Sequence, residues 1–313
     1  MTESSTPILQ KKPANLSFLS RILDNPVINK ELKSRMRGRQ GFIILSIYPS
    51  LISFFIGLIY LFLVADNSLS SGNPGYLQTV GKVVFSTVVL LELLMVSFIG
   101  PALTSGAISS ERERRTFDLL RTSLLSGRAL VLGKLSSAIV FLLLLIFTAI
   151  PVESLAFFLG GVGPAEIIIS TLLLIVTAVF FSTLGLFFSS FAKRTLIATV
   201  SSYATILLSI IVVSLSLFFM SVFESSNAFQ STITDNILNI LIWFLLSTNP
   251  FFAAAVSEAI LIDSQSLFIT TSGIFGTSPL PLLSPWIIYI IFYTFITILL
   301  IGLSIHFVNR PDR

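Results

Sequence analysis

The chain has 313 residues, of which 54% are hydrophobic and only 11% charged, with a net charge of +4. Soluble domains carry about 25% charged residues, so the composition excludes a soluble globular protein and points to an all-α polytopic membrane protein. Cysteine is absent and His306 is the one histidine, which excludes disulfide frameworks, thiolate metal centres and histidine-based catalytic constellations.

Residues 1–24 read as a disordered N-terminus and 25–313 as one membrane domain. The stretch from Pro26 to Gln40 has the period of an amphipathic helix, with Ile28, Leu32 and Met36 on one face and Lys30, Lys33 and Arg37 on the other. Glu31 and Arg35 complete its polar set. Such a helix lies on a membrane surface, either solely as an anchor for anionic headgroups or also as a contact for another protein.

A membrane-spanning helix needs about 20 apolar residues. Runs of that kind fall at about 41–65, 82–110, 134–158, 167–192, 195–223 and 285–308. The second is interrupted by Glu92, roughly 15 Å from the nearer end by helical rise, and bent at Pro101. An ionisable group at that depth is a functional candidate, and two readings stand: a hydrogen-bonded tie between helices, or a substrate or gating contact. The Pro101 bend fits a static kink or a hinge equally. Glu153 and Glu166 flank a short Gly-Pro turn and read as solvated helix ends.

A further apolar stretch, 236–257, is divided by Asn249-Pro250, because proline removes an amide hydrogen and clashes with the preceding turn. Counting it as a span would give seven crossings. The positive charges favour six: all 19 Lys and Arg except Lys82 then lie on one side, and residues 224–285 carry Glu224, Asp235, Glu258 and Asp263 but no base. The expectation is six spans, both termini in the cytoplasm of a multi-pass cell-membrane protein, and a broken re-entrant helix pair on the outer side.

The cytoplasmic loop 111–133 is the longest charged stretch inside the apolar chain. Gly127, Gly133 and Lys134 suggest a phosphate loop, but the spacing, the missing hydroxyl after Lys134 and the lack of a preceding strand all fail the Walker pattern. Phe117, Leu120 and Leu124 instead make an apolar edge of a short helix, with Glu111–Arg115 and Arg114–Asp118 as i,i+4 pairs. That is a shape for another protein's groove; an ordinary charged loop obeying the charge bias is the other reading.

Several stretches occur in the order found in permease subunits of type-2 ABC exporters. Pro101-Ala102-Leu103-Thr104-Ser105-Gly106-Ala107-Ile108 is followed by Glu111, Glu113, Thr116 and Leu119-Leu120, then by Gly133-Lys134. Asn25-Pro26 with Lys30-Glu31-Leu32-Lys33 resembles the family's opening helix. Gly185-Leu186-Phe187-Phe188-Ser189-Ser190 resembles its fourth-to-fifth turn, and Asn249-Pro250-Phe251 its late external segment. The resemblance spans about residues 25–310. Arg115 departs from it, since glycine is usual before the threonine, and Ser123 stands where proline is common.

The resemblance implies a permease with no catalytic site and no cofactor of its own, ATP and Mg being bound by a cytoplasmic ATPase dimer. A second permease subunit, identical or homologous, and membrane lipid are the other implied partners; nucleic acid is not one. Coupling to the ATPase is expected through Glu111, Arg114, Arg115, Phe117, Leu120 and Leu124, together with the surface helix carrying Lys30, Glu31, Lys33, Arg35 and Arg37. A self-powered secondary transporter or channel is the alternative.

Overall fold

The protein is described from a computed structural model, over residues 30–31, 35, 39–65, 76–117, 126–225, 232–264, 266–270 and 281–310. Helix α1 covers Arg39–Ala65, α2 Tyr76–Thr104, α3 Ser109–Glu113, α4 Gly127–Phe158, α5 Pro164–Phe191, α6 Thr195–Ser225, α7 Thr232–Ser247, α8 Pro250–Ser264 and α9 Pro285–Asn309. Strands β1 (Ile269–Thr270) and β2 (Leu282–Leu283) form a short antiparallel pair ahead of α9. Helices α1, α2, α4, α5, α6 and α9 are long and apolar enough to cross a membrane, so the all-α, six-span expectation holds.

Helix α5 is the most enclosed span, while α1 and α6 keep most of their apolar surface outside the bundle. In lipid that exposure carries no penalty, and helices associate instead through small residues that let backbones approach. A Cβ added at Gly185 on α5 would lie 2.9 Å from the Pro101 Cα on α2, and one at Gly100 would lie 3.2 Å from the Ser182 amide nitrogen. These two glycines therefore set the α2–α5 distance. Tyr289 on α9, fully buried, shares a 2.8 Å hydrogen bond with Thr177 on α5.

Helix α2 runs through Pro101 and stops at Thr104, where Ser105 N–H bonds the Pro101 carbonyl at 2.8 Å. The expected 82–110 span is thus a helix of equal length shifted toward the N-terminus, Tyr76–Thr104, followed by a turn. Helix α4 starts at Gly127, capped by the Ser126 hydroxyl, which accepts from the Ala129 amide at 3.2 Å. The expected loop 111–133 is consequently shorter, because its last seven residues are already helical. Glu153 is a further correction. Expected as a solvated end, it is 5% exposed and faces the bundle interior.

The Asn249-Pro250 break is present. The segments Asn239–Ser247 and Pro250–Ile262 meet at 110°. The sequence makes the corner locally: the Asn249 Oδ1 accepts from the Phe251 and Phe252 amides at 2.9 and 3.1 Å, an N-cap with proline at the first helical position. A backbone break at membrane depth must be covered by protein. Tyr293 provides this by donating its hydroxyl to the Thr248 carbonyl at 2.6 Å, eight residues and roughly 12 Å into α9. Nearby the Trp243 indole donates to Leu283 O at 2.8 Å, and the Trp286 amide donates to Ser257 Oγ at 3.0 Å. The pair packs at the bundle end where α2 begins, opposite the charged loop, and Ser86 of α2 donates to Glu258 of α8 at 2.6 Å.

Candidate functional site

At the loop end, elements distant in sequence converge on α3. Its N-terminal amides have no cap from their own segment. Ser189, from the last turn of α5, supplies one: its hydroxyl accepts from the Ile108 and Ser109 amides at 2.9 and 3.0 Å. At the other end of α3, Thr116 N–H reaches Glu111 O at 2.9 Å and Arg115 N–H reaches Arg112 O at 3.0 Å, the double bond of a Schellman cap. That cap requires a left-handed residue after the helix, and Arg115 has φ 58°. A side chain in this region costs about 1–2 kcal/mol relative to glycine. Arg115→Gly is therefore expected to stabilise the α3 turn by about 1 kcal/mol, read as slower amide hydrogen exchange over residues 109–116.

This geometry changes two expected roles. The left-handed turn ends the helix before Arg115, so the i,i+4 pair Glu111–Arg115 does not form; Arg114 and Arg115 are exposed. Glu111 turns instead to Lys134, with Nζ donating to Oε1 at 2.7 Å. Phe117 does not present an outward apolar edge. It is 3% exposed and packs among Ile108, Leu130, Val131, Leu135, Leu186 and Val308, with the Arg112 guanidinium 5.0 Å above its ring. Leu120 and Leu124 lie outside the described residues, as do Lys33, Arg37 and the polar N-terminus.

In the sequence Lys134 marks the expected start of the third span and the end of the Gly133-Lys134 motif, with no partner assigned. It sits eight positions into α4, and its side chain is 5% exposed. Besides Glu111 it donates to Glu31 Oε1 at 3.1 Å, tying the N-terminal segment, α3 and α4 together through one ammonium. Arg35, one turn beyond Glu31 and 3.9 Å from it, donates from Nη2 to the Leu103 carbonyl at 2.9 Å, just before α2 ends. Burial pulls the Arg35 guanidinium below its usual pKa, with Glu31 opposing that shift. Lys30 points outward. On the far side, the Thr195 hydroxyl at the start of α6 donates to Glu113 at 2.9 Å. The N-terminal segment, α2, α4, α5 and α6 are thus linked to one short helix, directly or through Lys134 and Arg35, by charged or polar bonds over a small apolar cluster.

These bonds join the charged loop and the N-terminal segment to a multi-span helical bundle. Among the described residues no cluster suits a metal ion. A family model described as "ABC-2 family transporter protein" matches residues 26–305. The chain belongs to that family and is a membrane permease component of an ABC transporter. Comparison with curated proteins gave no match.

Proposed function

We propose that this chain is the permease subunit of an exporter driven by a separate cytoplasmic ATPase, and that force enters at the loop following α3. Two permease subunits would pair with two ATPase subunits, which hold the ATP and Mg. The 111–126 region and both termini then face the cytoplasm of the cell in which the protein spans the plasma membrane. The observation carrying this reading is the Lys134 joint, where one buried cation holds Glu31 and Glu111 from segments 80 residues apart. A loop tied this way moves the N-terminal segment, α2 and α4 together. A loosely attached loop would absorb the push.

The absence of cysteine makes accessibility labelling clean. A single cysteine in place of exposed Arg114 should react with a membrane-impermeant maleimide only after the cytoplasmic face is opened. The purified chain should stimulate a co-assembled ATPase and move no cargo without one. Labelling of intact cells from outside, or flux through the chain alone, overturns the reading.

A further inference from the structure

Glu92 lies on α2 and is fully buried; Glu153 lies on α4 and Tyr48 on α1, at 5% and 3% exposure. Gly81 of α2 lies against Ala156 and Leu159 of α4. Glu92 is then roughly 16 Å further into the bundle and Glu153 roughly 5 Å. Side chains on a helix lean toward its N-terminus. The two helices are antiparallel, so Glu92 leans toward the α2 start and Glu153 leans inward to meet it. The two carboxyls are near enough to act on each other's charge, and the Tyr48 hydroxyl is within electrostatic range of both.

Among the described residues the cluster has no countercharge. No described ion pair involves Glu92 or Glu153. Neither Glu92 oxygen has a hydrogen-bond partner at good geometry, and the Tyr48 hydroxyl, a third polar group turned into the same place, has none either. An isolated carboxylate in hydrocarbon is costly, and two facing each other repel as well. A tie between helices would show satisfied hydrogen bonds; here both Glu92 oxygens and the Tyr48 hydroxyl are left open.

Other titratable groups on the surrounding elements have partners of their own or lie higher. Glu258 on α8 accepts from Ser86, Tyr289 bonds Thr177 and Tyr293 donates to Thr248 O, while Glu166 sits in the first turn of α5.

We propose that Glu92, Glu153 and Tyr48 form an intramembrane proton-binding site, in which one proton is held between the two carboxyls and the Tyr48 O–H donates to the oxygen left charged. Binding takes a proton from water onto a glutamate oxygen and release returns it, with no other bond changed. Because the ligands come from three helices, the affinity depends on how far α4 stands from α2 and α1.

The test needs only the full chain in lipid nanodiscs and does not depend on any ATPase. Infrared difference spectra between the wild type and Glu92→Gln/Glu153→Gln should show a protonated carboxyl stretch at neutral pH, corresponding to about one proton per chain, that fades as pH is raised. Tyr48→Phe should shift that band without removing it, which a distant structural role would not do. If the double variant does not fold, Glu92→Asp keeps a titrating group and should move the band. The inference is overturned if no protonated carboxyl signal belongs to these residues at neutral pH. It is overturned equally if adding sodium, potassium or calcium ions at fixed pH abolishes the signal, which would mark a metal-cation site instead.

Discussion

Lys134→Met is expected to reduce permease-stimulated ATP hydrolysis by the assembled complex between roughly 5- and 150-fold, the range of a coupling free energy of 1–3 kcal/mol. Methionine preserves the apolar stem that packs in α4 but removes the only described cation between Glu31 and Glu111. The two carboxylates keep 28% and 22% exposure, so water takes over part of the lost interaction. The cost to the isolated chain should therefore be about 1–2 kcal/mol, below the 3–5 kcal/mol of breaking a fully buried pair.

That moderate cost is useful, because it separates holding from transmitting. Adding Glu31→Gln and Glu111→Gln to Lys134→Met removes all three charges together, and such replacements are close to neutral for stability. The triple variant should regain the wild-type melting temperature. If stimulation stays lost, the charged joint transmits force. If stimulation returns with stability, Lys134 serves only to hold the fold. Lys134→Arg is not a silent control, since a planar guanidinium cannot reproduce a point charge between two separate acceptors.

Why this joint could not be read in advance follows from where its members sit. Glu31 and Lys134 are 103 residues apart, and no periodicity says which of many charges will meet. Local spacing paired Glu111 with Arg115, a choice that required helix through Arg115, where φ is 58°. The same assumption turned Phe117 outward. The span boundary was set at Lys134 because a charge normally ends an apolar run, but α4 begins two turns earlier at Gly127, and this places Lys134 inside the bundle. Glu153 reads as solvated for the mirror-image reason: it stands close to a helix end, yet the bundle covers it. The departure at Arg115 was legible as a departure, and the structure supplies its physical content, a cap position better suited to glycine. What the sequence did reveal rests on lengths and breaks: the six spans follow from bilayer thickness, and the α7–α8 corner from proline and an asparagine cap.

Phe117→Asp carries the largest expected effect on the chain by itself. Removing a buried phenylalanine costs about 3–5 kcal/mol from lost transfer energy and cavity, and the new carboxylate would add the burden of a charge among Ile108, Leu135, Leu186 and Val308. Arg112, already 5.0 Å above the ring, stands close enough to offset part of it. The expected result is local unfolding of residues 105–117, seen as rapid amide exchange and new protease cleavage in the isolated chain. Phe117→Leu should cost no more than about 1.5 kcal/mol and leave exchange nearly unchanged. The comparison discriminates because the chain is studied without any partner. If Phe117 were an outward anchor for an ATPase groove, neither variant would disturb the lone chain, and only partner affinity would fall. A clamp inside the joint predicts the reverse order: the lone chain loosens first, and loss of coupling follows from a loop no longer fixed to the helices it must move.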